Sequence, residues 1–212
     1  MRKITKGIYP EPISLSDFKR ANPKATYTDL RETERTDIRS VCLQEQYYLC
    51  AYCCKEISGA NHDCMNEHVE ARRIAPARSL DFTNIVSSCT TPGQCDAAHG
   101  SLALPLTPFM SECETEFEFT LSGKVRGLTD RAKETIRVLN LGDELQNNRS
   151  LIEQRRQLIQ SIMFTNGIDP EEGLDDDDDL LKMVINDIST PKSGKLDAFS
   201  PIVVNVLKQW VV

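Results

Sequence analysis

The sequence predicts an α+β fold that is mainly helical, with a small metal-bound centre followed by a helical C-terminal half. Seven of the eight cysteines lie between residues 42 and 95, in short segments rich in Gly, Pro, Asn and Ser. Beyond residue 128, apolar residues recur at helical spacing. The predicted domains are an N-terminal arm and helix (1–49), a zinc-bound core (50–108) and a helical region expected to bind a partner (109–212).

The first 49 residues predict an arm and one helix. Pro10, Pro12 and Pro23 interrupt residues 1 to about 24, which indicates extended chain. A helix is predicted near 28–48, because apolar side chains recur there at a partial 3.6-residue spacing: Leu30, Ile38, Val41 and Leu43. This helix is expected to end at Leu49 and Cys50.

The C-terminal half predicts three helices and an apolar tail. The first starts at Thr129 and stops at Gly142, and the second covers 147–164. A polar break containing the acidic run 175–179 precedes the third, over 180–188. The tail, 198–212, is apolar enough that we expect it to dock onto the body of the protein or onto a partner.

Charge and hydropathy narrow the functional classes. The net charge of −7 comes entirely from residues 101–212, because residues 1–100 carry 13 basic and 13 acidic side chains. No apolar run approaches the roughly 18 residues that span a bilayer, and the basic N-terminus lacks the apolar region of a secretory signal. We therefore expect a cytoplasmic protein with no membrane partner. Clustered cysteines in that compartment bind metal more often than they form disulfides.

The clearest metal-binding signal is the CAYC stretch. Cys50 and Cys53 are two thiolates separated by two residues, which can point at one zinc ion from a tight turn. A thioredoxin-like redox pair is the competing interpretation, although it needs a βαβ context that the sequence does not show. Cys42 and Cys64 are interpreted as core or surface thiols.

A second pair of cysteines completes the predicted zinc site. Cys89 and Cys95 are separated by five residues, and the turn expected at Pro92 and Gly93 lets this spacer double back. Four thiolates suit a structural zinc ion. The predicted ligands are Cys50, Cys53, Cys89 and Cys95.

The polar residues among these cysteines occur in a specific order. Glu67 and His68 follow the first pair, Asn84 comes 16 positions later, and Asp96 and His99 follow the last cysteine. Over residues 50–100 this order resembles the HNH nuclease family. The resemblance implies a zinc-stapled ββα-metal finger that hydrolyses nucleic-acid phosphodiester bonds.

Phosphodiester hydrolysis needs a base, and a neutral imidazole can accept a proton at physiological pH, which suits His68. Mg²⁺ or another divalent ion would act as a Lewis acid. The resemblance implies that Glu67 and Asp96 bind this ion and that Asn84 bonds backbone to keep His68 oriented. His99 stands where the family more often has Lys. It is expected to bind the ion or contact the scissile phosphate, with capping of the short helix as the alternative.

Basic residues follow the Glu-His pair. Arg72, Arg73 and Arg78 lie in a segment with few acids and are predicted to contact backbone phosphates, with ordinary solvated arginines as the alternative. His62 is interpreted as a histidine without a catalytic role.

Three further stretches, MRKITKG, EQYYLCAYC and TIRVLNLG, are similar to the PtuB family, the HNH nucleases of Septu-type antiphage systems, some attached to retrons. The resemblance implies an ABC/SMC-like ATPase partner of the PtuA type. It also implies a DNA or RNA substrate, with tRNA among the candidates, and in retron-associated systems a retron reverse transcriptase with its msDNA.

Other interpretations remain open at this point. The chain could be a non-enzymatic zinc-stapled nucleic-acid-binding or adaptor protein, in which the Glu-His-Asn order is degenerate. A thiol redox protein would use the CAYC pair. The acidic run at 175–179 is interpreted as a docking site for a partner, as a surface that repels nucleic acid, or as a solvated loop.

Overall fold

A computed structural model describes residues 1–167 and 178–211, so the acidic run at 175–179 lies outside the described residues except for its last two positions. Its helices and strands confirm the α+β class. In chain order they are α1 (Ile13–Ala21), α2 (Glu32–Glu45), β1 (Cys64–His68), β2 (Ile85–Cys89), α3 (Asp96–His99), β3 (Phe117–Phe119), β4 (Val125–Gly127), α4 (Asp130–Leu139), α5 (Leu145–Thr165), α6 (Asp178–Ser189) and α7 (Ser200–Leu207).

The N-terminal segment is not a wholly extended arm. Helix α1 starts directly after Pro12, whose fixed φ suits the entry to a helix. The extended chain predicted from the prolines was therefore wrong for Ile13–Ala21. Leu15 on α1 is fully buried against a small core that includes Ile38 of α2 and Phe82. This apolar contact supplies the stabilisation that a nine-residue helix lacks on its own.

Helix α2 is confirmed with narrower bounds than predicted. Its start is fixed by Glu34, whose carboxylate accepts a hydrogen bond from the Arg31 backbone N–H at 3.0 Å. Beyond its end, the Gln46 side chain accepts from the Ser87 N–H at 2.7 Å and donates to the Ser87 carbonyl at 2.8 Å. This pair of bonds holds α2 against β2.

Strands β1 and β2 form an antiparallel two-stranded sheet in which Cys64 pairs with Cys89 and His68 with Ile85. The one-turn helix α3 follows, starting after Cys95, which has a positive φ of 53°. The Cys95 N–H donates to the Leu139 carbonyl at the end of α4, at 2.9 Å. A main-chain bond therefore joins the cysteine region to the helical half.

The helical half follows the predicted plan with changed ends. Thr129 caps α4 by accepting from the Ala132 N–H at 3.2 Å. The helix stops at Leu139 because Asn140 adopts a left-handed conformation, so the stop is not at Gly142 as predicted. Helix α5 is longer than predicted and kinks at Asn148.

The apolar tail docks onto the body of the protein through α7, whose apolar side chains join the main core. The Asn205 side chain accepts from the Phe119 N–H at 2.8 Å and donates to the Phe117 carbonyl at 3.0 Å, which ties α7 to β3. This one core contains apolar side chains of the N-terminus, the cysteine region and the helical half. None of the described helices has the length and apolar character needed to cross a membrane.

Candidate metal centre and adjoining cleft

The four cysteines predicted as metal ligands come together in the structure. Their sulfur atoms all lie within 4.8 Å of one another, and all four residues are buried. The Cys50 and Cys95 sulfurs are 3.8 Å apart, and the Cys53 and Cys89 sulfurs are 3.9 Å apart. Four thiolates placed tetrahedrally at ~2.3 Å from zinc would be ~3.8 Å apart. The group can therefore hold a metal ion such as zinc.

Hydrogen-bond donors surround the sulfurs. The Gln94 side-chain N–H₂ lies 3.6 Å from the Cys89 sulfur and 3.8 Å from the Cys53 sulfur, and the Cys89 N–H donates to the Cys50 sulfur at 3.3 Å. Gln94 is itself held by Asn148, which donates to its carbonyl oxygen at 2.9 Å. Donors of this kind orient metal-bound thiolates and stabilise their charge. Sequence reasoning missed Gln94, although it directly precedes a predicted ligand.

The remaining thiols are separate from this group. Burial raises the pKa of Cys42 to about 12 and that of Cys64 to about 11. Neither thiol belongs to the group of four whose ligand atoms come together. Cys42 and Cys64 are therefore structural side chains.

His68, at the end of β1, is buried but lines a cleft of about 400 Å³. Its Nε2 lies 2.9 Å from the Ser79 carbonyl oxygen. A carbonyl can only accept, so Nε2 carries the proton and Nδ1 has the free lone pair. No described group hydrogen-bonds to Nδ1, and burial lowers the pKa of the ring. At neutral pH, Nδ1 is therefore able to accept a proton.

The carboxyl groups of Glu67 and Asp96 line the same cleft and lie close enough to affect each other's pKa. Burial, together with its interaction with Glu67 and the charge of that group, raises the pKa of Asp96 to about 8. The charge of Glu67 acts in this direction because two carboxylates close together repel each other. Carboxylate oxygens are also the ligands that divalent ions such as Mg²⁺ prefer.

His99, predicted to bind the ion or contact the scissile phosphate, lies at the end of α3 in contact with Glu67. It is fully buried and does not line the cleft. Its Nδ1 hydrogen-bonds with Glu67 Oε1, and its Nε2 lies 2.8 Å from the Leu102 carbonyl. The Tyr52 hydroxyl donates to the same Glu67 oxygen at 3.3 Å. As placed, His99 orients Glu67, and a ligand role would require it to give up one of these bonds.

The side chain of Asn84 is buried, and both ends of its amide hydrogen-bond to the backbone of Glu70. Its Oδ1 accepts from the Glu70 N–H at 2.8 Å, and its Nδ2 donates to the Glu70 carbonyl at 2.9 Å. The Asn84 carbonyl also accepts from the Val69 N–H at 3.0 Å. These three bonds fix the two residues that follow His68.

The three predicted phosphate-contacting arginines separate in the structure. Arg72 lines the cleft beside His68. Arg73 is exposed, and Arg78 forms ion pairs with Glu70 at 2.6 Å and Asp81 at 2.8 Å. Arg78 lines a separate hollow.

Sequence reasoning missed the side chains that the first 61 residues bring to this cleft. The signal that could have found two of them is the four-residue spacing of Arg35 and Arg39 on a predicted helix, which places both on one face. The missed cleft residues that carry polar groups are Tyr27, Glu32, Arg35, Arg39 and Asn61.

Within residues 1–167 and 178–211, no second group of three or more Cys, His, Asp or Glu side chains brings its ligand atoms together. In comparisons with known proteins, neither a family model nor a curated protein matched the chain. The function is therefore argued from the geometry of the cysteine group and of the cleft.

Proposed function

We propose that the chain is a metal-dependent HNH-type endonuclease whose structural zinc is held by Cys50, Cys53, Cys89 and Cys95. The observation that supports this most is His68. Its Nε2 is held by the Ser79 carbonyl, whereas Nδ1 has no hydrogen-bond partner among the described groups, and the ring borders a cleft that also contains two carboxyl groups and an arginine.

The predicted site residues divide the work of phosphodiester hydrolysis under this proposal. His68 Nδ1 accepts the proton of the attacking water, and the Arg72 guanidinium contacts a backbone phosphate of the strand. Glu67 and Asp96 hold a divalent ion, Mg²⁺ being the expected one, which supplies Lewis-acid stabilisation when bound. Asn84 keeps the chain after His68 in place, and His99 orients Glu67 through the bond between them.

The proposed setting is a cytoplasmic antiphage defence complex, in which this nuclease is the effector subunit of an ABC/SMC-like ATPase of the PtuA type. The net charge of −7 supports a need for a partner. A polyanion is repelled by a chain with this charge, and a basic partner would supply a complementary surface. A retron reverse transcriptase with its msDNA would join the complex in retron-associated systems.

The test is cleavage by the chain co-purified with its ATPase, using plasmid DNA, single-stranded DNA and tRNA with Mg²⁺. His68→Ala is expected to abolish cleavage while the fold and the zinc content stay as in the wild type. His62→Ala is the matched control, because that histidine is exposed and its imidazole makes no hydrogen bond with described residues. Cleavage retained by His68→Ala would show that His68 is not the base.

A second candidate is a non-enzymatic zinc-stapled nucleic-acid-binding or adaptor protein. Two observations favour it: both His99 nitrogens are occupied, and the described carboxylates and histidines form no second ligand group of three. This candidate predicts stoichiometric zinc, no Mg²⁺-dependent cleavage of any of the three substrates, and partner binding that is unchanged by His68→Ala.

A further inference from the structure

Tyr27 and Arg35, from outside the HNH-like region, form one side of the cleft together with Arg72. The Tyr27 ring contacts the His68 ring edge-on, with centroids 4.8 Å apart. Two guanidinium groups lie over the same Tyr27 ring: that of Arg35, from α2, at 5.4 Å from the centroid, and that of Arg72 at 5.2 Å. Both arginines line the cleft. Two positive charges are thus held on one small patch beside His68.

These two guanidinium groups have donors that the described protein does not use. Arg35 makes one hydrogen bond, to the Thr28 carbonyl at 3.2 Å, and its Nε is buried without a partner. Within the described chain, Arg72 donates no hydrogen bond and forms no ion pair within 4 Å. A buried donor left without an acceptor costs about 1–3 kcal/mol. An acceptor from outside the chain would remove this cost.

The neighbouring arginine on α2 differs in being paired with an acid of the chain, although its Nε is also buried without a hydrogen-bond partner. The guanidinium of Arg39, one turn after Arg35, pairs with Glu32 at 3.0 Å and also bonds Asn61. No acid stands in the same relation to Arg35 or Arg72 among the described residues. The difference indicates that the positive charges of Arg35 and Arg72 over the Tyr27 ring are not placed there to pair with an acid of the chain.

We infer that Tyr27, Arg35 and Arg72 form a binding subsite for a backbone phosphate of the nucleic-acid substrate, adjacent to the scissile phosphate. The inference rests on the proposed function, which puts the scissile phosphate at His68, and the Tyr27 ring contacts that histidine. A planar guanidinium fork matches the oxygens of a phosphate, and the aromatic ring holds the fork in position. The subsite positions the strand without reading its sequence.

The test uses the zinc-loaded full-length chain with His68→Ala, co-purified with its ATPase, so that no probe is cut and the complementary surface of the partner is present. Fluorescence anisotropy measures binding of three fluorescein-labelled probes between about 50 and about 200 mM KCl. The probes are a single-stranded DNA, an RNA of the same sequence and the DNA duplex. Arg35→Gln is expected to weaken binding of the preferred probe about 5- to 10-fold. It should also reduce the slope of log K against log salt by about 1.

Arg31→Gln is the matched control, because Arg31 precedes α2 on the exposed surface and pairs with Glu34 at 3.1 Å. Arg35→Lys should retain the salt slope with partial loss of affinity, because it keeps the charge and loses the fork. Arg72→Gln, at an exposed position, should reproduce the effect and carries the test if Arg35→Gln lowers the melting temperature.

Several results would overturn the inference. The first is a complex that binds none of the probes. The second is that the Arg35→Gln and Arg72→Gln variants bind like Arg31→Gln. The third is that the variants lose the ATPase while binding nucleic acid normally, which would make the patch a protein-binding surface. The proposed function fails separately. If cleavage requires His68 but binding does not depend on Arg35, the chain is a nuclease without this subsite. If binding depends on Arg35 but no cleavage is detected, the chain has the subsite without the nuclease activity.

Discussion

Replacing Asn84 by Ala should destabilise the zinc-loaded protein by about 2 kcal/mol, at about 1 kcal/mol for each of two hydrogen bonds. Both bonds go to the backbone of Glu70, at 2.8 and 2.9 Å, and the amide that makes them is buried. Glu70 itself is exposed, so water can replace part of what is lost and the full penalty for unpaired buried groups does not apply. The assay is urea denaturation at saturating zinc, read as the free energy of unfolding.

The Asn84→Asp variant separates the two bonds. Its carboxylate can still accept from the Glu70 N–H but cannot donate to the Glu70 carbonyl. We therefore expect a free energy of unfolding between that of the wild type and that of Asn84→Ala. Asn147→Ala is the control, since that side chain is exposed and bonds Asp143 on the surface. A loss under about 0.5 kcal/mol for Asn84→Ala would refute the view that this amide fixes the chain after His68.

Three further results are expected. Cys89→Ala should abolish stoichiometric metal in the purified protein, measured by mass spectrometry of metals. Cys64→Ala should retain the metal, because that thiol lies outside the cluster. Equal metal content in the two variants would refute the ligand assignment. Metal should be released to a chelator as the pH falls, because protons compete for the thiolates, and release that is independent of pH would contradict thiolate ligation. Gly127→Ala should lower the free energy of unfolding by about 1–3 kcal/mol, because an added Cβ would lie 2.5 Å from the Lys133 backbone nitrogen; an unchanged value would contradict that packing.

The cysteine cluster could be predicted from the sequence because metal ligation depends on few residues and on short spacers. The two-residue spacer of the CAYC pair and the turn at Gly93, which has a positive φ of 72°, bring the sulfurs within each pair close together through local chain alone. Helices α4 and α5 could be predicted for a similar reason, since a cap at Thr129 and a repeated apolar stripe are local signals.

Long-range packing explains what could not be predicted. Helix α1 is stabilised by the burial of Leu15 against residues more than 20 positions away, so local prolines suggested an extended arm instead. The bonds of His99 to Glu67 and Leu102 depend on how α3 is set against β1, which no spacing encodes. The approach of Arg35 and Tyr27 to His68 likewise requires α2 to pack on the sheet.

The central claim is that this chain cuts nucleic acid with His68 as the base. The most direct measurement is sequencing of fragment ends recovered from cells in which the full complex has been triggered by phage infection, comparing wild type with His68→Ala. The account predicts discrete new ends in the wild type that are absent from the His68→Ala cells, with both proteins present at equal levels. Identical ends in the two strains, or no new ends in the wild type, would contradict it.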